Sequence, residues 1–235
     1  MSQVAKHIAN LCEKIRRHDR LYYSEACPEI SDVEYDRLIS ELKNLEADNP
    51  DLISPDSPTQ RVGGEAVELL TSVRHRIPML SIDNTYSTQD LAAWGERTVK
   101  YLREAGDNEP VHWILELKID GVAASLTYNA GRLNLGATRG NGTVGDDITH
   151  NIRTIGAIPL RLGLEKPPPE VEVRGEVFMT NSALVTLNEL QASQGSAPFA
   201  NTRNVTAGSI RLLDSRECGS RPVSYTHLTL PTKRI

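Results

Sequence analysis

The chain has 235 residues, a net charge of −5 and three cysteines without a C-x-x-C pair, which argues against a self-sufficient DNA-binding module and against a disulfide or zinc framework. No apolar run approaches the roughly 20 residues that a membrane span needs, and the N-terminus lacks the apolar stretch of a signal peptide. We therefore expect a cytoplasmic protein that contacts no membrane and has one large domain or two smaller ones.

Two helices are predicted at the start of the chain. The apolar residues of the first recur along one helical face: Val4, Ile8, Leu11, Cys12 and Ile15. Ser31, followed three residues later by Glu34, is the capping-box pattern that begins a second helix. The apolar stripe of this helix is Leu38, Leu42 and Leu45. Prolines and glycines over residues 50–64 then predict a loop, so we place a small helical domain over residues 1–72.

Beyond residue 111 the apolar pattern changes from helical to alternating, which predicts strands. The segments with this pattern are residues 113–118, 122–128, 133–137 and 171–177. Apolar spacing predicts further helices over 184–190 and 202–213. The order predicts an α+β fold, in which the helical domain is followed by a second domain with an antiparallel sheet over residues 73–223.

The sequence Glu116-Leu117-Lys118-Ile119-Asp120-Gly121 holds the residues best suited to catalysis. Strand periodicity places Glu116 and Lys118 on one face, with Asp120 just beyond. A lysine attacks a substrate only as the neutral amine, and deprotonating an ordinary lysine at neutral pH costs about 4 kcal/mol. The two carboxylates oppose that deprotonation, so we expect a metal ion or a departing cationic group to assist. K-x-D-G alone also fits an exposed turn with a Lys–Asp pair.

This stretch resembles the nucleotidyltransferase motif of DNA ligases and RNA-capping enzymes, in which the lysine becomes adenylated or guanylated. Its surroundings are similar to segments of NAD⁺-dependent DNA ligases: residues 78–85, 137–142, 172–177, 200–204 and 207–211. Residues 21–23 and 31–36 resemble the NMN-binding signature of the same family. The resemblance covers residues 5–223 and implies an NMN-binding domain followed by the first part of an adenylation (nucleotidyltransferase) domain.

The family's chemistry assigns a role to each matching residue. In the family, a lysine attacks the α-phosphate of NAD⁺ and releases NMN. The adenylate then passes to the 5′-phosphate of a nick in double-stranded DNA, the 3′-hydroxyl closes the strand, and Mg²⁺ or Mn²⁺ supports the reaction. The resemblance implies that Lys118 is the nucleophile, that Asp120 positions it, and that the enzyme is a monomer. It implies no protein ligands to the metal.

The resemblance also implies two groups of NAD⁺-binding residues. Those implied for the adenosine and phosphate half are Ser81, Ile82, Glu116, Arg139, Glu176, Arg203 and Arg211, the last two being equally candidates for DNA-phosphate contacts. Those implied for the NMN half are Tyr22, Tyr23, Asp32, Val33, Glu34, Tyr35 and Asp36. Tyr23 stands where many relatives have histidine, which leaves its role open.

Two features of these segments have a second interpretation. Asp32, Tyr35 and Asp36 share one helix face, which could offer carboxylates and an aromatic ring to the cationic nicotinamide nucleotide. The alternative is a solvated acidic face with a packing tyrosine.

Residues 140–145 match the G-x-G-x-x-G dinucleotide fingerprint, but an antiparallel turn precedes them and Asp146 and Asp147 follow where a pyrophosphate needs positive potential. We predict a loop near the nucleotide there.

The family pattern ends after Val223, and residues 224–235 are predicted to be a disordered or artefactual tail. The nucleotide pocket is then incomplete, the family's zinc site is absent from this sequence, and we expect weak or no ligation. Two alternatives stay open. An ATP- or GTP-using nucleotidyltransferase would leave the acidic helix face without a purpose, whereas a non-enzymatic NAD-binding fragment would bind NAD⁺ without a covalent adenylate.

Overall fold

The computed structural model describes residues 2–23, 29–61, 69–81 and 84–227. The described part begins with a pair of helices, and antiparallel sheets flanked by further helices follow it. This confirms the predicted α+β fold. Within these ranges, no helix combines the length and the apolar character that crossing a membrane requires.

The N-terminal part is a helical hairpin, with α1 over Gln3–Tyr23 and α2 over Asp32–Asp48. Short 3₁₀ turns follow at Pro50–Leu52 and Pro58–Arg61. The core between the helices is formed by the predicted stripes, with these residues buried: Ile8, Leu11, Cys12, Ile15 and Leu42. Val4 is exposed, so the first stripe begins one turn later than predicted.

The start of α2 follows from the capping box that the sequence predicts. The Ser31 hydroxyl accepts a hydrogen bond from the Glu34 backbone N–H at 3.3 Å, and the Glu34 carboxylate accepts from the Ser31 backbone N–H at 3.0 Å. The two bonds satisfy donors that a helix N-terminus otherwise leaves unpaired, and such a cap is worth about 1 kcal/mol.

The rest of the described chain contains six strands and five helices. In chain order they are β1 (Ser72–Arg74), α3 (Thr88–Glu104), β2 (Val122–Asn129), β3 (Arg132–Thr138), β4 (Val144–Asp146), α4 (Thr149–Ile152), β5 (Glu170–Phe178), α5 (Asn181–Ser193), α6 (Thr202–Ile210), α7 (Ser215–Gly219) and β6 (Ser224–His227). Strands β3-β2-β5-β6 form one antiparallel sheet in that order, and β1 pairs with β4.

The main core lies against one face of β2, as the alternating pattern predicts. Ala124, Leu126 and Tyr128 are buried there with isoleucines from the segment after β4 and from α6. The hairpin from β2 to β3 turns through Ala130 and Gly131, both with positive φ. That turn geometry matches the twist of the two strands and places β3 beside β2.

The structure differs from the sequence prediction in two strands. Residues 113–118 are predicted to be a strand, but residues 111–120 form no regular element, and the side chains of Leu115 and Leu117 are 100% and 88% exposed. A strand needs a neighbour for its backbone hydrogen bonds, and no described strand lies beside this segment.

The second difference concerns the C-terminal tail. The prediction of disorder from residue 224 is wrong for Ser224–His227, which form β6 and pair with β5 through Gly175↔His227 to Phe178↔Ser224. The free edge of β5 offers unpaired backbone groups, which a short segment of alternating residues can satisfy. Residues 228–235 lie outside the described residues.

The helices also differ from the prediction in their bounds and in their number. The helix predicted over 202–213 ends at Ile210, and α7 follows as a separate turn. Helix α3 has no counterpart in the prediction. Its signal is the N-cap Ser87, whose hydroxyl accepts from the Asp90 backbone N–H at 3.0 Å.

Candidate active site

The K-x-D-G turn lies directly against β5. A side chain at Gly121 would bring a Cβ within 2.2 Å of the Val177 carbonyl oxygen, so only glycine allows the turn to approach that closely. The Gly121 backbone N–H donates to the Glu176 carboxylate. This contact places Lys118 and Asp120, which precede the glycine, beside the end of β5.

Glu176 is the half-buried carboxylate of the site, and the charges of three cations act on it. Burial raises the pKa of the Glu176 carboxyl, while the Gly121 N–H and the charges of Lys118, Arg203 and Arg139 act in the opposite direction. A carboxylate in this position can accept hydrogen bonds from sugar hydroxyls. The surrounding cations can in turn face phosphate oxygens.

Asp120 and Arg203 form the outer part of the site. Arg203 Nη1 lies 3.5 Å from Asp120 Oδ1, and both side chains are more than half exposed. Arg203 is in the first turn of α6, which Asn201 caps through a 2.8 Å bond from the Asn204 N–H. An exposed ion pair of this kind contributes little to stability, so both groups are available to a ligand.

Arg139 is placed by the end of β3 and by the loop after it. Its backbone N–H donates to the Ala123 carbonyl oxygen at 3.0 Å, and its Nη1 donates to the Ser81 hydroxyl at 3.2 Å. His75 Nε2 lies 3.1 Å and 3.2 Å from the carbonyl oxygens of Thr138 and Arg139. Carbonyl oxygens only accept, so Nε2 carries the proton and donates to both.

The G-x-G-x-x-G segment is the connection between β3 and β4. Gly140 has φ +55°, and a Cβ there would lie 2.0 Å from the Val144 carbonyl oxygen. The last glycine, Gly145, lies in strand β4 where the dinucleotide fingerprint requires a helix, so the Rossmann interpretation does not apply. The loop carries Arg139 at its start, close to the cluster around Glu176.

Two of the predicted residues make no bond to this cluster within the described ranges, and a third is not described. Arg211 is 3.0 Å from Asp146, with which it forms an ion pair. Glu116 is exposed in the irregular segment before Lys118. Ile82 lies outside the described residues. The cluster that the structure brings together is therefore Lys118, Asp120, Arg139, Glu176 and Arg203, with Ser81 beside Arg139.

Comparison with known proteins matches both parts of the chain. Residues 68–234 match the family model described as the NAD-dependent DNA ligase adenylation domain, and residues 1–63 match the one described as the DNA ligase-like, N-terminal NAD+-binding domain. The chain belongs to the NAD-dependent DNA ligase family. The adenylation-domain match extends past Val223, and residues 64–67, which lie between the two matches, come a few residues before the predicted boundary at 72.

Relatives named DNA ligase are similar over most of this chain. The protein from Rhodopirellula baltica is 52% identical over 232 residues, covering 94% of this chain and 32% of its own length. Those from Geobacter sulfurreducens and Halothermothrix orenii are each 48% identical, covering 94% and 95% of this chain and 33% and 32% of their own lengths. The chain thus spans about a third of the length of the curated relatives it matches.

The residues that resemble the ligase family's NMN signature lie on α1 and α2. The Glu34 carboxylate is used in the capping box, and Asp36 is exposed. Tyr35 packs against the helical core, and its hydroxyl donates to Asp19 at 2.6 Å. This is the packing role of the alternative interpretation, and the NMN-binding role stays a prediction.

For four residues of that signature, only the helical backbone is described: Tyr22, Tyr23, Asp32 and Val33.

Sequence reasoning did not find Arg174, Glu172 or Ser125, which lie on β5 and β2 next to the cluster. The available signal was the strand period, because Glu172, Arg174 and Glu176 alternate along β5 and so share one face.

Proposed function

We propose that this chain performs the first step of NAD⁺-dependent DNA ligation, the transfer of AMP from NAD⁺ to Lys118 with release of NMN. The observation that carries the proposal is the packing of the lysine turn against β5 at Gly121, next to Glu176, whose carboxylate is acted on by the charges of Lys118, Arg139 and Arg203. The matches to an adenylation domain and to an NAD⁺-binding domain support it. The N-terminal match favours NAD⁺ over ATP as the nucleotide donor.

The geometry suggests how the residues share the reaction. The Lys118 amine forms a bond to the α-phosphorus and loses a proton, and the bond from that phosphorus to the oxygen of the NMN phosphate breaks. Arg139 and Arg203 face the charge that develops on the phosphoryl oxygens. Glu176 accepts a hydrogen bond from a ribose hydroxyl, and Asp120 orients the lysine and Arg203.

The donor groups of the site fit a magnesium ion. Mg²⁺ binds through one or two carboxylates together with substrate phosphates and water, and Asp120 and Glu176 supply carboxylates here. When bound, such an ion neutralises charge on phosphoryl oxygens. Asp120 is the more exposed of the two carboxylates and is the one we expect to face an ion that arrives with NAD⁺.

For the whole protein we propose the sealing of nicks in double-stranded DNA, by a monomer in the cytoplasm. The 235-residue chain itself should be weak or inactive in that overall reaction. Leu115 and Leu117, which flank Glu116 just before the nucleophile, are exposed, so these two side chains do not anchor the segment that carries Lys118. This exposure also favours the alternative of a fragment that binds NAD⁺ without transferring AMP.

The test is the intact mass of the purified chain after incubation with NAD⁺ and Mg²⁺. The wild type should gain one AMP, whereas Lys118→Ala should gain none. Lys100→Ala is the matched control, because Lys100 is an exposed lysine paired with Glu104 on α3, and it should be adenylated like the wild type.

Three other outcomes would contradict the proposal. NAD⁺ binding without a mass gain in the wild type would identify a binding fragment. A gain from ATP but not from NAD⁺ would identify an ATP-using nucleotidyltransferase. An AMP that persists in Lys118→Ala would show that another residue is the nucleophile.

A further inference from the structure

Arg174 lies on β5 between Glu172 and Glu176, and its guanidinium contacts a distant segment of the chain. Nη1 donates to the Pro78 carbonyl oxygen at 2.9 Å, and Nη2 donates to the carbonyl oxygen of Ile77. A planar guanidinium can bond two neighbouring acceptors at once, which a lysine ammonium does in a much less defined geometry. Arg174 therefore binds two consecutive backbone carbonyls.

The Arg174 guanidinium is also held by a carboxylate on its own strand. Arg174 Nε donates to the Glu172 carboxylate at 2.7 Å, and the Ser125 hydroxyl on β2 donates to the same carboxylate oxygen at 2.9 Å. The Arg174–Glu172 pair is about three-quarters buried. The side chain thus has one orientation fixed by the sheet, and it is directed at residues 77–78.

Residues 77–81 connect Arg174 to the adenylation site. Met79 N–H donates to the Gly142 carbonyl oxygen at 2.8 Å, which ties the segment to the loop after β3. Ser81 then accepts from Arg139 at 3.2 Å. Arg174 and the Gly142 carbonyl hold the segment from two sides, and Ser81 is its last described residue before 84.

We propose that Arg174 is a positioning residue for NAD⁺, one that fixes residues 77–81 so that Ser81 and Arg139 face the nucleotide. Among the described residues, Arg174 bonds Glu172, Ile77 and Pro78 but neither Lys118 nor Glu176, so it acts through the segment. The inference rests on the proposed function. It follows that losing Arg174 should weaken nucleotide binding much more than it slows the transfer of AMP from nucleotide already bound.

The test compares Arg174→Ala, Arg174→Lys and the control Arg76→Ala. Arg76 immediately precedes that segment and pairs with Glu170 on β5. This ion pair is largely exposed, and none of the described contacts of Arg76 is with a carbonyl of residues 77–81. For Arg174→Ala, the NAD⁺ concentration that gives half-maximal adenylation should rise about tenfold or more, since two charged hydrogen bonds are lost. The rate at saturating NAD⁺ should fall less than about threefold.

The lysine variant and the control sharpen the result. Arg174→Lys should lie between the wild type and Arg174→Ala, because it keeps the charge and loses the paired geometry. Arg76→Ala should match the wild type. Equal half-maximal concentrations for Arg174→Ala and Arg76→Ala would overturn the proposal, and so would a loss confined to the saturated rate.

Amide hydrogen exchange separates this proposal from the failure of the adenylation step. The peptide over residues 76–81 should exchange faster in Arg174→Ala than in the wild type, and addition of NAD⁺ should protect it in the wild type only. If the wild type forms no adenylate, the proposed transfer fails while these two exchange differences still support positioning. Unchanged exchange in Arg174→Ala, or equal protection by NAD⁺ in both proteins, overturns it.

Discussion

Replacing Asp56 by alanine should destabilise the chain by about 2–4 kcal/mol, because this carboxylate joins the helical part to the sheet. Its side chain is 3% exposed and accepts from Arg16 on α1 at 3.1 Å and from the Ser54 hydroxyl. Arg132 on β3 and Arg161, from the second part of the chain, lie 3.5 Å and 3.8 Å from the same carboxylate.

The magnitude follows from how exposed each partner is. Arg16 is 28% exposed, and a hydrogen bond to a charged group in such a place is worth about 1.5–3 kcal/mol. Arg132 and Arg161 are 55% and 51% exposed, so solvent screens them and each should add less than about 1 kcal/mol. Asp56→Asn keeps the shape and loses the charge, and it should cost less than Asp56→Ala.

The pH dependence of this contribution has a definite sign. Burial alone would raise the pKa of the Asp56 carboxyl, but the Ser54 hydroxyl and the charges of Arg16 and Arg132 outweigh it and lower the pKa below the ordinary value of 3.8. A carboxyl with a lowered folded-state pKa stabilises the fold above that ordinary value. The contribution is lost as the pH falls through the folded-state pKa.

The assay is urea unfolding followed by circular dichroism, at neutral pH and at a pH well below 3.8. The control is Glu29→Ala, which removes an exposed acid. Glu29 pairs with Arg17 on α1, the helix that also carries Arg16, and its removal should cost less than about 1 kcal/mol. A cost for Asp56→Ala no larger than that of Glu29→Ala would refute the reasoning. An Asp56→Ala cost that stays the same at low pH would refute its electrostatic part.

Three further predictions concern the site and the core. Burial raises the pKa of the Glu176 carboxyl, so its charged form opposes folding, and the contribution of this group to stability is lost as the pH rises through its folded-state pKa. Glu176→Gln should therefore unfold at a higher urea concentration than the wild type at neutral pH, while intact mass shows slower AMP transfer. Gly140→Ala should destabilise by about 1–3 kcal/mol and impair transfer, because φ is +55° and the new Cβ meets the Val144 carbonyl; wild-type behaviour in both assays would contradict the strain argument. Leu126→Ala should cost about 2–5 kcal/mol in urea unfolding because Leu126 is 1% exposed, whereas Leu115→Ala should cost under about 0.5 kcal/mol, and similar costs would show that residues 111–120 pack in solution.

The elements that the sequence predicts well are those set by local chemistry. The capping box at Ser31 and Glu34 depends on residues three apart, and the alternation over 122–128 depends on one buried face. The irregular segment at 113–118 has a strand pattern equally clear by the same criterion. The strand prediction fails there because a strand needs a neighbouring strand for its backbone hydrogen bonds, and no local pattern indicates where that neighbour is.

The same distinction holds at the site. The K-x-D-G motif identifies Lys118 and Asp120 locally, but the position of Glu176 depends on the register that pairs it with Ala123, two residues after Gly121. The contacts of Arg174 join residues 96 and 97 positions apart. Only the folded chain reveals such contacts.

The register of β5 explains why one strand both meets the lysine turn through Glu176 and supports the segment before Ser81 through Arg174. Because side chains alternate along a strand, Glu172, Arg174 and Glu176 share one face, opposite the buried Val177. Pairing with β2 brings the Glu176 end of that face to the lysine turn. The middle of the face then meets the segment before Ser81 through Arg174. A shift of β5 by one residue would turn this face into the core and separate the lysine from Glu176 and Ser81 from its support, so the stability of the β2–β5 register and the assembly of the site depend on the same hydrogen bonds.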